Sequence, residues 1–332
     1  MGGKFDFNDI LIKPTTTSKI DSRQDINPFT NGFLPLITAP MDTVINQSNR
    51  KIFEDLKIIT CLPRGEKNES GFTSFSLNEI EQHCDKDRLN PNGMYLIDIA
   101  NGHMEKLLVV TRKVKEKYPS LKLMVGNVAN PRTYLKLSNA GADYVRVGIG
   151  NGGGCSTTVH TGVGHPMASL ISECYSLSCQ LDNPAKIVAD GGMQNYSDII
   201  KALALGADYV MVGSLFNKAI ESCGPNYLFK YIKLPQKLAE RAYNLNLPIY
   251  KKFRGMSTKE VQKKWGKVSL TTSEGVIRYR KVEYSLNKWV KNFEDYLRSS
   301  MSYSNAISLD KFIGYADIIK ITDNAYKRFK KW

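Results

Sequence analysis

A glycine-rich loop that ends in a cysteine has the clearest chemical potential in this chain. Cys155 follows the run GIGNGGG (148–154) and precedes three hydroxyl residues (156–158). Glycines let a backbone take positive φ and approach a ligand closely. Successive amides can form a nest for an anion, and exposed carbonyls can hold a monovalent cation. A thiol beside backbone donors can ionise and act as a nucleophile. Taken alone, the loop fits a tight turn with an incidental thiol equally well.

Four further polar loops follow apolar runs. ADGG (189–192), VGS (212–214) and FRGMS (253–257) come after the predicted sixth, seventh and eighth strands, and DIANGH (98–103) ends the third. In a barrel of parallel strands, the loops after strands seven and eight usually bind phosphate. Amides, a hydroxyl, a guanidinium and a ribose-binding carboxylate are supplied there by Gly213, Gly255, Ser214, Arg254 and Asp190. Together the loops predict a phosphorylated ribonucleotide lying across the thiol.

The elements that must position these loops are eight short apolar runs alternating with amphipathic segments. The runs span 34–39, 57–62, 94–100, 121–127, 143–149, 185–190, 208–213 and 247–253. Near-continuous apolar runs are typical of parallel strands buried on both faces. This alternation predicts an α/β fold, a (β/α)8 TIM barrel forming a single catalytic domain over residues 1–332. Near-copies at 138–148 and 203–213 support repeated units, with a glycine ending each helix.

A polar segment interrupts the pattern after the last predicted strand. It spans about 255–280, is rich in Lys and Thr, and shows no clear apolar period. Because an insertion there lies at the carboxyl-terminal face of a barrel, where active sites occur, we predict a flap over the site.

Composition excludes several other classes of protein. A 332-residue chain with 42% hydrophobic residues can bury one large core. It has neither a transmembrane run nor a secretory signal, so we expect a cytoplasmic protein without a membrane partner. Six scattered cysteines without a C-x-x-C pair favour neither a disulfide scaffold nor a zinc site. The net charge of +14 favours attraction of phosphorylated small molecules over nucleic-acid binding, because no nucleic-acid motif accompanies it.

Ten motifs resemble those of the IMP dehydrogenase / GMP reductase family, in the family's order and over nearly the whole chain. They are FDFNDILIKP (5–14), SRQDI (22–26), APMDTV (39–44), DIANG (98–102), VGIGNGGGCSTT (147–158), TGVGHP (161–166), VADGGM (188–193), VMVGSLF (210–216), RGMS (254–257) and SEG (273–275). Each motif is weak alone, but the joint pattern is highly specific.

The resemblance implies an oxidoreductase in which Cys155 attacks C2 of a purine nucleoside monophosphate and forms a covalent thioimidate. An IMP dehydrogenase forms it by hydride transfer to NAD and then hydrolyses it. A GMP reductase forms it by expelling ammonia and then reduces it with NADPH, with Thr157 and Glu274 relaying protons to the ammonia.

The resemblance also implies a homotetramer and three sets of binding residues. The substrate residues are Asp190, Gly192, Gly213, Ser214, Arg254, Gly255, Met256 and Ser257. Those for the nicotinamide cofactor, NADPH or NAD, are Asp98, Asn101, Gly102 and Arg64. A potassium ion would be held by backbone carbonyls of Gly150, Gly152 and Cys155.

The features that separate the two reactions mostly favour the reductase. No pair of cystathionine-β-synthase-type modules interrupts the barrel. The loop sequences DIANGH and TGVGHP are close to those of reductases. The flap from Gly255 to Glu274 is short and lacks the Arg-Tyr dyad that activates water in dehydrogenases. Other segments favour the dehydrogenase, because they resemble dehydrogenase sequences: VMVGSLF, LRSSMSYSNA (297–306) and IKITDNAY (319–326). We therefore predict a GMP reductase, with an IMP dehydrogenase as the alternative.

Five positions depart from the family pattern. A phosphate-contacting serine is Gly153 here, an arginine is Thr158, a basic residue is Thr271, a lysine is Arg64 and a tyrosine is Phe253. These changes keep open an enzyme that acts on a modified purine nucleotide. A nucleotide-binding barrel without turnover is the non-enzyme alternative, but pure binding would not need the predicted nucleophile and proton relay.

Overall fold

A computed structural model describes residues 3–264 and 272–329 of the chain. The strands are β1 (Ile10–Ile12), β2 (Leu36–Thr38), β3 (Cys61–Leu62), β4 (Phe72–Phe75), β5 (Met94–Asp98), β6 (Lys122–Val128), β7 (Tyr144–Val147), β8 (Lys186–Asp190), β9 (Tyr209–Val212), β10 (Asn226–Leu228), β11 (Ile232–Leu234), β12 (Ile249–Arg254), β13 (Ile277–Lys281) and β14 (Ile318–Lys320). The α-helices are α1 (Arg50–Asp55), α2 (Leu77–Asp85), α3 (Glu105–Lys117), α4 (Pro131–Asn139), α5 (Thr157–Thr161), α6 (Met167–Ser178), α7 (Tyr196–Ala204), α8 (Ser214–Asn217), α9 (Gln236–Asn244), α10 (Lys259–Lys264), α11 (Leu286–Tyr303) and α12 (Asp323–Phe329).

Strands β2 to β9 form a closed parallel barrel. From β3 to β9 each strand pairs with the next in chain order, and β2 pairs with β9. The backbone amide of Thr38 donates to the carbonyl of Ile59, just before β3, at 3.0 Å, which joins the two remaining edges. Every crossover carries a helix except residues 63–71, between β3 and β4. The predicted (β/α)8 barrel is therefore confirmed.

Two apolar layers support the barrel. Side chains inside it, including Ile37, Phe72, Leu96, Met124 and Val188, are completely buried and fill the interior. A larger cluster lies between the strands and the surrounding helices. Since the interior is packed rather than open, a ligand must bind at an end of the barrel, among the loops.

The near-repeats at 138–148 and 203–213 have the same local structure. Gly141 and Gly206 directly follow the last residues of α4 and α7 and their caps, with φ of +92° and +110°. Only glycine adopts this left-handed region without strain, so each one ends a helix and starts the turn into the next strand. The predicted role of these glycines is confirmed.

The eighth predicted strand is wrong. Residues 249–254 form β12, which belongs to a separate antiparallel sheet in the order β11-β10-β12-β13. The strand missing from the prediction is β4, where Thr73 and Ser74 are buried and hydrogen-bonded to backbone carbonyls. Because of these two polar residues, the apolar pattern of the sequence does not reveal strand β4. The loop of Cys155 consequently follows the sixth barrel strand, β7, and the loops at 190 and 213 follow the seventh and eighth.

The antiparallel sheet is an insertion between the last barrel strand and α11. Buried and partly exposed side chains alternate along β12, as expected for a sheet with one buried face. Of the predicted flap at about 255–280, the described parts are 255–264, which includes α10, and 272–280, which includes the first four residues of β13, paired with β12. Thr271 lies outside the described residues.

The two ends of the chain meet in a small sheet, because β1 pairs antiparallel with β14. Within the described ranges, no helix has both the length and the apolar character needed to cross a membrane.

Candidate active site

One cavity of about 470 Å³ lies among the loops at the carboxyl ends of the barrel strands. Its wall also includes residues from the inserted sheet and from the segment just before β13. The predicted site residues in this wall are Arg64, Asp98, Gly150, Gly152, Cys155, Thr157, Asp190, Gly192, Gly213, Ser214, Gly255, Met256, Ser257 and Glu274. Residues separated by more than 200 positions in the chain therefore share one cavity.

Cys155, Thr157 and Glu274 form a continuous chain of polar atoms. The thiol of Cys155 donates to Oγ1 of Thr157 at 3.1 Å, and this hydroxyl donates to Oε2 of Glu274 at 2.5 Å. Thr157 is the first residue of α5, two positions after the cysteine. Such a row can carry a proton between the sulfur and the carboxylate, or between the carboxylate and a group bound beside the sulfur.

Backbone pairing fixes Glu274 to the cysteine loop. The amide of Ser156 donates to the carbonyl of Glu274 at 2.7 Å, and Cys155 forms an antiparallel bridge with Gly275. Next to them, the carbonyl of Gly154 accepts from the amide of Val276, whose own carbonyl accepts from the amide of Gly255. A Cβ on Gly255 would lie only 2.1 Å from the carbonyl oxygen of Gly154, so the close approach needs glycine. The relay is positioned by main chain as well as by side chains.

A buried charge network lies beneath the cavity floor. Arg146 of β7 is only 6% exposed and donates to Oδ1 of Asp98 and to Oδ2 of Asp190, at 2.8 and 2.7 Å. Burial opposes the charge of Arg146, but the carboxylates of Asp190 and Asp98 outweigh this effect and raise its pKa. Asn127 also donates to Oδ2 of Asp190, at 2.8 Å. Both carboxylates are thereby held in place by hydrogen bonds from the same guanidinium.

The sequence prediction missed Arg146 and Asn127, although both line the cavity. The available signal was a charged residue inside the otherwise apolar run DYVRVGI, because a central barrel strand buries such a residue only when it is paired.

Three predicted residues are absent from the cavity wall. Arg254 instead pairs with Asp42 and Glu260, with N–O distances of 2.6 and 2.7 Å. Asn101 accepts a hydrogen bond from the amide of His103. The amide of Gly102 donates to the backbone of β6. Asn101 and Gly102 directly follow Ala100, which does line the cavity, so they border the site rather than form it.

Comparison with known proteins gives this site a family. A sequence model described as the IMP dehydrogenase / GMP reductase domain matches residues 92–330, more than two thirds of the chain. The chain belongs to this family. The predicted resemblance is thus confirmed, and the family is one of purine-nucleotide oxidoreductases.

Individual relatives come from both branches of the IMP dehydrogenase / GMP reductase family. The chain is 30% identical to GMP reductase of Caenorhabditis elegans, across 96% of this chain and 92% of that protein. It is 28% identical to GMP reductase of Onchocerca volvulus, across 98% of this chain and 93% of that protein. Inosine-5'-monophosphate dehydrogenase of Chlorobaculum parvum is 46% identical, but over 134 residues that cover 40% of this chain and 27% of that protein.

The structure places four of the five departures from the family pattern. Arg64 lies in the cavity wall, with Nε 3.3 Å from Asp98. Thr158 turns away from the cavity, because its hydroxyl donates to the carbonyl of Val163. Gly153 and Phe253 both line the cavity, and both lie next to Arg280. The fifth departure, Thr271, is outside the described residues.

The loop that the family resemblance assigns to potassium is a tight turn in which one glycine is required. Gly150 has φ of +83°, and a Cβ there would meet Oγ1 of Thr158 at 1.8 Å, so only glycine fits. The carbonyl of Gly152 accepts from the amide of Cys155 at 2.9 Å and keeps a second lone pair. Carbonyl oxygens suit a monovalent cation. Among the described side chains, no group of three or more His, Cys, Asp or Glu residues could hold a metal ion.

Proposed function

We propose that this protein is a GMP reductase, which converts GMP, NADPH and two protons into IMP, NADP⁺ and ammonium. The observation that carries this proposal is the row from Cys155 through Thr157 to Glu274, with distances of 3.1 and 2.5 Å. A reductase must protonate an amine before it leaves, whereas a dehydrogenase must activate water. Residues 255–274 contain neither Arg nor Tyr, so they offer no Arg-Tyr dyad for water activation.

The proposed first step is attack by sulfur on C2 of the guanine. The thiol proton passes through Thr157 to Glu274, the C–S bond forms, and a ring nitrogen takes the displaced electron pair and a proton. Glu274 then returns its proton through Thr157 to the amine on C2. Ammonia leaves with the electrons of the C2–N bond, the lone pair of the ring nitrogen re-forms the C=N bond as this nitrogen releases its proton, and a thioimidate on Cys155 remains.

Reduction of this thioimidate completes the proposed reaction. A reduced nicotinamide bound beside the site would supply the hydride to C2. The C–S bond then breaks, its electrons return to the sulfur of Cys155, and IMP is released. A proton taken up from solution through the relay restores the thiol, and a second proton converts the released ammonia to ammonium, so the enzyme ends in its starting state.

The proposed binding of the nucleotide uses the three glycine-containing loops. Ser214, Gly213, Gly192 and the backbone at 255–257 would surround the 5′-phosphate, since they line one region of the cavity. Asp190 would bind the ribose. All its hydrogen bonds from described residues reach Oδ2, which leaves Oδ1 to accept from a ribose hydroxyl.

The proposed cofactor region is the wall around Arg64 and Asp98, with Asn101 and Gly102 at its border. Potassium would be held by the carbonyls of Gly150, Gly152 and Cys155 and would fix the shape of the nucleophile loop. The preference for NADPH over NADH, a homotetramer and a cytoplasmic location stay predictions that follow from the family resemblance. The near-full-length alignments with GMP reductases support the choice of branch, since the dehydrogenase alignment covers 40% of this chain.

A product assay tests the proposed function. Purified protein is incubated with GMP and NADPH, and ammonia is measured together with the loss of nicotinamide absorbance. The proposal expects equal amounts of ammonia and NADP⁺, with IMP as the purine product. Steady conversion of IMP and NAD to XMP, without ammonia from GMP, would show instead that the protein is an IMP dehydrogenase.

A further inference from the structure

A half-buried arginine lies beside the region proposed for the phosphate. Arg280 is on β13, and its guanidinium carbon lies 4.6 Å from the centre of the Phe253 ring. Nη2 of Arg280 lies 2.8 Å from the position that a Cβ on Gly153 would take, and the same point is 3.8 Å from Oγ of Ser214. Gly153, Phe253 and Ser214 all line the cavity, so the guanidinium lies next to their part of the wall.

The two neighbours of this guanidinium are suited to hold it. Because Gly153 has no side chain, the space beside its Cα is open, and Nη2 of Arg280 occupies it. The flat ring of Phe253 is buried and supports the flat guanidinium by stacking. In a chain with serine and tyrosine at these positions, two hydroxyls would fill part of this space. The glycine and the phenylalanine together create a place for an arginine.

Arg280 has strong donors without an acceptor in the described part of the chain. No carboxylate or carbonyl there accepts a hydrogen bond from it, although a guanidinium offers five N–H donors. Burial, followed by the nearby charge of Arg278, lowers its pKa, but an arginine stays charged at neutral pH. A half-buried guanidinium whose N–H groups have no acceptor among the described residues can donate to an anionic ligand.

We propose that Arg280 binds the 5′-phosphate of the nucleotide, next to Ser214 and in the space left open by Gly153. This inference deepens the proposed function and rests on it. A guanidinium matches phosphate geometry, because two of its N–H groups can reach two phosphate oxygens at once. The chain would thus replace a neutral hydroxyl contact from residue 153 by a charged contact from a different element.

The test measures binding of GMP and of guanosine by calorimetry to the full-length protein and to Arg280→Ala. We expect the variant to lose about 10- to 100-fold in affinity for GMP, the range for hydrogen bonds to a charged group. Affinity for guanosine should change by less than about twofold. The affinity of Arg280→Lys for GMP should fall between those of the native protein and of Arg280→Ala. Lysine keeps the positive charge but lacks the paired N–H groups of a guanidinium.

A matched control separates a specific contact from general charge loss. Arg278→Ala removes the same charge two residues earlier on the same strand, where the side chain is exposed. It should change the affinity for GMP by less than about twofold. Equal losses in both variants would overturn the proposed contact in favour of long-range attraction.

A second variant tests the spatial link without removing the arginine. Gly153→Ser would place its Cβ 2.8 Å from Nη2 and displace the guanidinium. Arg280→Ala should therefore cost at least about fivefold less affinity for GMP in the Gly153→Ser background than in the native background. Additive effects would overturn the inference.

The outcomes distinguish this inference from the proposed function. If native protein binds GMP much more tightly than guanosine but Arg280→Ala does so equally well, the phosphate site stands and the role of Arg280 is wrong. If native protein binds GMP and guanosine equally, the proposed phosphate site itself fails, and the inference with it.

Discussion

Replacing Glu274 by glutamine probes the proton relay with little change of shape. The carboxylate accepts from Thr157 through Oε2 at 2.5 Å, while the backbone carbonyl of Glu274 accepts separately from Ser156. Glutamine retains the side-chain length and an acceptor oxygen, and the backbone contact does not depend on the side chain. The variant should therefore fold normally but should be unable to store or return a proton.

The expected loss follows from the role of an acid in amine departure. General acid catalysis contributes about 100- to 10,000-fold, so we expect ammonia release from GMP to fall at least about 100-fold. This corresponds to a rise of about 2.7 kcal/mol in the barrier. The assay is single-turnover ammonia release with NADPH and saturating GMP. Glu283→Gln, an exposed change near the end of β13, is a matched control and should retain the native rate.

The hydride step provides an internal comparison for the same variant. Formation of the thioimidate from IMP and NADP⁺ shares the transfer of the thiol proton but has no amine leaving group, so Glu274→Gln should slow it at least about tenfold less than ammonia release. Ammonia release within about threefold of the native rate would refute the relay. An equal loss in both reactions would also contradict it, because such a loss indicates damaged binding or a damaged nucleophile.

Two further predictions concern other residues. Cys155→Ala should abolish turnover but bind GMP within about tenfold of the native affinity, because the phosphate and ribose contacts lie on other loops; measurable steady turnover would contradict a covalent mechanism. Burial lowers the pKa of Lys251, whose ammonium donates to the carbonyl of Ser222, to about 8 from an ordinary value of 10.5. Between these values the unfolded chain binds more protons than the native protein, so native stability should rise with pH relative to Lys251→Met, by at most about 3 kcal/mol. Chemical denaturation at pH 8 and 10 checks this, and a difference that falls with pH would refute it.

The barrel could be predicted because most of its strands have apolar runs that match their burial. The exceptions are instructive. Strand β4 was missed because Thr73 and Ser74 satisfy their hydroxyls on backbone carbonyls, which local sequence does not reveal. Strand β12 was assigned to the barrel by its apolar residues. However, Tyr250, Lys252 and Arg254 within it alternate with buried residues, as in an antiparallel sheet with one buried face.

The gathering of the site residues could also be predicted, since loops that follow parallel strands meet at one end of a barrel. Cys155, Thr157 and Glu274 are brought together, while their catalytic roles stay predictions. Arg280 could not be predicted from the sequence. Its contact with Gly153 joins elements 127 positions apart, and no local pattern marks either residue as a partner. Pairings of this kind depend on the register of β12 and β13.

The most direct test of the account is to locate the covalent bond. The protein is mixed with IMP and NADP⁺, so that hydride leaves C2 and the thioimidate accumulates, and then it is quenched, digested and mapped by mass spectrometry. The account predicts a purine nucleotide attached to the peptide that contains Cys155, formed in step with reduced nicotinamide. Reduced nicotinamide without any adduct, or an adduct on another thiol such as Cys179 or Cys223, would contradict it.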